Sequence, residues 1–337
     1  MIRSRRPYHR PYFFEVFSVA QIILVYAVIV LHGPNILGMV NANMAVTLLA
    51  MLLATVAGLI FRFGAAAYRG KARVLWRAIA NGGWLTDTLR LMVGNALLIG
   101  VYGSIKLVLP IYHPLLYDRQ LWEIDSAMFG GYSPVVFVLS VFSNPGSLRF
   151  FDFAYANIFF FSLQFSFMYF LSHPSRRIRM AYADGSMALW CLGAWLYLLV
   201  PSLGPAYVFP DVWLAYRDAL PETNRFHRLL IMNYQGVLDL KAGISAPLTF
   251  FYGVAAFPSL HVALQTFIFV WMRRLWISAQ VLFGIFTLLI LLGSMITGWH
   301  YLIDGLAGMV MAVGCYAVPA RLWGVHQWAR HCAATGR

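Results

Sequence analysis

Charge is scarce in this chain. Asp, Glu, Lys and Arg make up 11% of its 337 residues, where ordinary soluble domains carry about 25%. A soluble globule is excluded on that count, because too few charged side chains remain to cover one. Acidic groups are the scarcer sign, 12 Asp and Glu against 25 Lys and Arg. Cysteine is sparse too. Cys191, Cys315 and Cys332 contain no C-x-x-C pair, so neither a disulfide framework nor a zinc site is indicated. No convincing internal repeat, low-complexity tract or soluble domain stands out.

Apolar side chains are what the chain does have: 61% of its residues are hydrophobic and 16% aromatic. Runs of roughly 20 apolar residues, enough to cross a bilayer, recur along most of its length. The pattern predicts an all-α integral membrane protein of eight spans, at 13–32, 39–61, 89–111, 151–172, 186–202, 258–272, 278–298 and 302–320. The opening "MIRSRRPYHRPY" has the charge of a signal-sequence n-region. No small-x-small cleavage site follows "IILVYAVIVLHGPN", so the first span is read as uncleaved. Between spans, "YDRQLWEIDSAMFGGYSP" reads as a re-entrant or interfacial segment, "HPSRRIRM" as a basic turn and 203–257 as a long loop.

Positive charge sets the orientation of such a bundle. With the N-terminus inside, the cytoplasmic side holds 18 of the 25 Lys and Arg and 3 of the 12 Asp and Glu. Both termini are then cytoplasmic. The excess charge of +13 reflects topology and gives no support to a nucleic-acid partner. In this orientation "VAAFPSLHVAL", residues 254–264, opens the sixth span at its outer end. "TGWHYLIDGLAG", from Thr297, lies at the outer junction of the last two. Polar residues distant in sequence therefore converge on one face.

His300 and Asp304 are four residues apart, which on a helix puts them on one face. The carboxylate can then hold one imidazole nitrogen and leave the lone pair of the other free to attack. Ionisable groups at membrane depth are costly and are usually functional. Pro258 suits a helix's first turn, where its missing N–H would be unpaired anyway. The amides after it form an anion site, above all for phosphate, and Ser259 adds a hydroxyl. His261 follows within the same turn.

"FPSLH" followed by "TGWHYLID" resembles the type 2 phosphatidic acid phosphatase superfamily, most closely its inositol phosphorylceramide synthase branch. The resemblance covers about 89–320. It divides the chain into a basic N-terminus with two additional spans (1–88), a six-span catalytic core (89–320) and a basic tail (321–337). It implies that His300 is the nucleophile that becomes phosphohistidine, that Asp304 orients it, and that His261 protonates the leaving oxygen and then serves as base. It also implies lipid substrates within the bilayer, no metal or cofactor, and a bacterial inner membrane with the site facing the periplasm. Transfer of a phosphorylated headgroup between lipids is the favoured reaction. Hydrolysis of lipid phosphates or polyprenyl diphosphates is the close alternative, and a proton-coupled transporter or flippase the remote one.

Two family arginines are missing. Ser294 stands six residues before His300, where an arginine is expected. The outer end of the fifth span, "LVPSLGPAYVFP", has no basic residue. "KLVLPIYHP", from Lys106 to Pro114, has nearly the spacing of the first family motif but lies two spans too early. It is read as coincidental, with Lys106 retained as a candidate. Arg217, Arg225, Arg228 and Lys241, before "FPSLH", are the other candidate cations. Asp118, Glu123 and Asp125 are read as solvated acids rather than a metal cluster.

Overall fold

The computed structural model describes residues 12–32, 36–80, 82–248, 253–275 and 277–325. The segments 1–11 and 326–337, with His9, His326, His331 and Cys332, lie outside the described residues, as does the side chain of His32. Among the described residues the secondary structure is helical throughout, with no strand. In chain order the helices are α1 (Phe13–His32), α2 (Leu37–Tyr68), α3 (Ala72–Ile79), α4 (Gly82–Tyr112), α5 (Asp118–Met128), α6 (Pro134–Val141) and α7 (Pro145–Leu171). Then follow α8 (Arg176–Leu199), α9 (Pro205–Val208), α10 (Asp211–Leu214), α11 (Pro221–Lys241), α12 (Leu260–Leu275), α13 (Ile277–Ile296) and α14 (Leu302–Leu322). A 3-10 turn, Arg217–Ala219, precedes α11.

Six of these, α1, α2, α4, α7, α13 and α14, are long and apolar enough to cross a membrane. The other two predicted spans coincide with helices that are not. α12 is too short, and α8 begins about ten residues before the expected 186, inside the supposed basic turn. It can do so because its charges find partners. Arg176 bonds Asp87 at 2.6 Å, the Arg179 guanidinium donates to the carbonyls of His173 and Pro174, and Asp184 accepts from the Trp323 indole. Both helices occupy the middle of the bundle, where little hydrophobic surface has to meet lipid.

Helix starts follow local chemistry. Asn144 caps α7 by accepting from the Ser147 amide at 2.9 Å, with Pro145 in the first turn, where proline's missing donor costs nothing. α8 packs between α4 and α14, and α12 lies against α13 and α14. Gly185 lets α8 approach α14 closely, since a Cβ there would sit 2.5 Å from the Cys315 carbonyl oxygen. Small residues serve this purpose in membranes, where tight packing rather than water exclusion holds helices together. Phe170 stacks on Tyr182 at 4.0 Å in a core that also buries Phe267 and Trp271. α1 and α2 flank α4, and α2 also packs on α7.

The expected loop at 203–257 is largely helical. α11 is too polar to be legible as a membrane helix, and it packs on α4 and α7. Asp152 of α7 fastens its first turn, accepting from the amides of Glu222 (2.9 Å) and Thr223 (2.8 Å).

Candidate active site

The turn between α13 and α14 sets the geometry. Gly298 adopts φ +75°, and a Cβ there would meet Ala206 and Trp213, so this tight reversal needs glycine. The Ser294 carbonyl then accepts from the amides of Trp299 (2.9 Å) and His300 (3.1 Å). His300 is 4% exposed and lies two residues before α14 begins, not on its face. Asp304, in the first turn of α14, reaches back instead. Its Oδ2 accepts from the Tyr301 amide at 2.9 Å and faces His300 Nδ1 at 3.3 Å. The pair expected from helix periodicity is therefore made by a capping interaction. Burial first, and the Lys106 charge second, lower the His300 imidazole to about 3, against a hydrogen bond to the Ala256 backbone that raises it, so the neutral ring is favoured.

α5 holds this turn in place. The Asp118 carboxylate accepts from the amides of Leu203 (2.9 Å) and Gly204 (2.8 Å) and from the Tyr301 hydroxyl (2.9 Å). Asp125 accepts from the amides of Leu302 (2.7 Å) and Ile303 (2.8 Å), capping α14 from outside. Expected to be solvated, Asp118 and Asp125 are 2% and 1% exposed. Burial raises both carboxyls, Asp125 to about 6. The sequence signal for them was weak, because acids on a short amphipathic segment usually face water.

His261 is the second residue of α12. Its ring lies 6.0 Å from that of His300 and against Tyr155 (5.1 Å) and Phe159 (4.3 Å). The helix starts later than expected, so Pro258 lies outside its first turn. Ser259 caps α12: its hydroxyl accepts from the Val262 amide at 3.4 Å, and its own amide donates to the Asp304 carbonyl at 3.0 Å. Both of its polar groups are engaged within the protein, joining the starts of α12 and α14.

His261 and His300 open into one cavity of 430 Å³, walled by α2, α4, α7, α8 and α11. Lys106 lines it as well, although it comes from α4. Its ammonium lies 3.4 Å from the Tyr102 hydroxyl and over the rings of Tyr102 and Tyr197. The remaining candidates are not brought to the cavity lining. The Lys241 ammonium donates to the Ile111 carbonyl at 3.2 Å, and the Arg217 carbonyl accepts from the Asn224 side chain. Arg225 pairs with Glu222 at 2.9 Å. The Ser294 hydroxyl donates to the Leu291 carbonyl at 2.8 Å. Asp152, Tyr155 and Trp190 line the cavity without having been singled out. Asp152 had a signal: it is a lone acid near the start of an apolar run.

Such a constellation can hold an anionic phosphate beside a neutral, carboxylate-backed imidazole with a second histidine across from it. The family model described as the PAP2 superfamily matches residues 119–318. No curated protein and no solved structure matches the chain.

Proposed function

The chain belongs to the PAP2 superfamily, and from that premise we propose that it hydrolyses a lipid phosphate through a covalent intermediate on His300. The observation that carries this reading is the convergence of His261, His300 and Lys106 on one otherwise largely apolar cavity. His300 Nε2 attacks phosphorus, forming an N–P bond as the P–O bond to the lipid breaks. His261 gives its proton to the departing lipid oxygen. It then takes one from water, whose oxygen displaces His300 and releases phosphate. Asp304, across Nδ1, fixes the tautomer and supports the charge that develops on the ring. Lys106 offsets charge on the equatorial oxygens, where phosphoryl transfer depends most on positioning and electrostatics.

A second reading replaces water with a lipid hydroxyl, as in inositol phosphorylceramide synthesis. One observation favours it. Among the described residues, Lys106 is the sole Lys or Arg of the lining, beside the carboxylates Asp152 and Glu222. A phosphodiester carries less negative charge than a monoester and needs fewer cations. Purified protein given labelled lipid donors, with and without lipid acceptors, separates the two. Free phosphate under all acceptor conditions supports hydrolysis, and a new phosphodiester lipid supports transfer. Full turnover by His300→Ala would sink both.

In this reading α8 and α12 are also spans, giving eight in all. Both termini face the cytoplasm, and the cavity lies at the outer boundary. Segment 1–88 adds two spans to the catalytic core of 89–320, and 321–337 is a basic tail.

A further inference from the structure

At the end of the bundle away from the catalytic cavity, a second hollow of 330 Å³ lies among α2, α3 and the turn between α7 and α8. Val46 of α2 lines the first cavity and Arg62 the second, separated by about 24 Å of helical rise. Arg62, Arg69 and Lys71 supply its charge, and Val74, Leu75 and Pro174 part of its apolar wall, with no Asp or Glu among the described residues of the lining. Arg62 is fixed: its guanidinium donates to the Tyr169 carbonyl (2.7 Å) and to Ser172 Oγ (2.9 Å). Arg69 and Lys71 are exposed, and among the described residues neither forms an ion pair.

The surroundings place this hollow at headgroup depth. Ile60 and Phe61 of α2, 68% and 76% exposed, suit acyl chains. About two turns on, Tyr68 and then Trp76 of α3 are exposed as well, and such rings gather at membrane interfaces. Three cations over an apolar wall, where lipid-facing surface gives way to polar surface, match an anion that carries a hydrocarbon tail. Basic pockets beside membrane helices bind anionic headgroups in this way.

We infer that this hollow binds the phosphate of an anionic phospholipid in the leaflet opposite the catalytic cavity, tying α2 and α3 to the α7–α8 turn. The inference does not depend on the reaction. Its test is native mass spectrometry of the delipidated full chain with phosphatidylglycerol, phosphatidylcholine or inorganic phosphate. Phosphatidylglycerol is expected to be retained in preference to phosphatidylcholine. The double variant R69Q/K71Q should weaken that retention about 30-fold. R69K/K71R should keep it, which separates lost charge from lost fold, and Lys106→Met should keep it too. Equal retention by R69Q/K71Q, or of phosphatidylcholine, would overturn the inference. So would loss in Lys106→Met, which would move the lipid to the catalytic cavity. Displacement by an equal concentration of inorganic phosphate would overturn the assignment to a lipid.

Discussion

His300 lies just outside α14, so its partnership with Asp304 depends on the turn as much as on either side chain. The two predictions at this scale separate chemistry from charge. His300→Ala removes the proposed nucleophile and should lower kcat by roughly 10⁴-fold or more. Acid-quenched wild-type enzyme given ³²P-labelled lipid should show no acid-stable label, because phosphohistidine is acid-labile, while an alkaline quench should retain it. Label that survives acid would point to a different nucleophile. Lys106→Met should cost about 10²-fold in kcat/KM, the scale of losing one donor to developing charge, with partial rescue by Lys106→Arg. The convergence of His261, His300 and Asp304 was legible in the sequence, because polar groups in an apolar run have few uses. Lys106 was harder to interpret, since only the tertiary fold brings it to the cavity that His261 and His300 line.

Helices that bury their apolar length against lipid were legible from composition, and α1, α2, α4, α7, α13 and α14 follow that rule. α11 and α3 escaped it because they lie on other helices, so their sequences need not match a bilayer. The start of α8 escaped it because paired charges continue a helix as well as apolar residues do. α5 carries a property that no pattern of runs reveals: two buried carboxylates that fasten the turn carrying His300. Asp125 is raised by burial to about 6 in the folded protein, above its ordinary value near 3.9. A raised carboxyl favours folding below its unfolded pKa, and that contribution is lost as pH rises through about 6. Stability should therefore fall between about pH 4 and pH 6, by on the order of 3 kcal/mol at most. Asp125→Asn should flatten that part of the profile. Thermal unfolding followed across pH for both proteins checks it, and an unchanged slope in Asp125→Asn would remove Asp125 as the cause.

The family match begins at residue 119, yet the cavity does not. α2 and α4 precede the matched segment and supply Asn43, Val46, Ile99, Tyr102, Gly103 and Lys106 to the wall. The two N-terminal spans, read from the sequence as an addition to a core, thus include part of the cavity wall. That role was not legible, because α2 reads as an ordinary lipid-facing span and only its packing on α4 and α7 brings Asn43 to the cavity. Asn43 is a partly buried amide in that wall. If a lipid phosphate sits at His300, α2 meets the part of the molecule that distinguishes one lipid from another. Asn43→Leu keeps the volume and removes the hydrogen bonds, each contributing about 1 kcal/mol net. KM for the preferred lipid should therefore rise about 5-fold, with kcat unchanged, and discrimination among lipids with different polar backbones should narrow. Steady-state kinetics on a panel of lipid substrates measures both effects. An unchanged KM across the panel would make α2 a structural wall only, and a fall in kcat alone would mean that the substitution disturbs the catalytic turn rather than recognition.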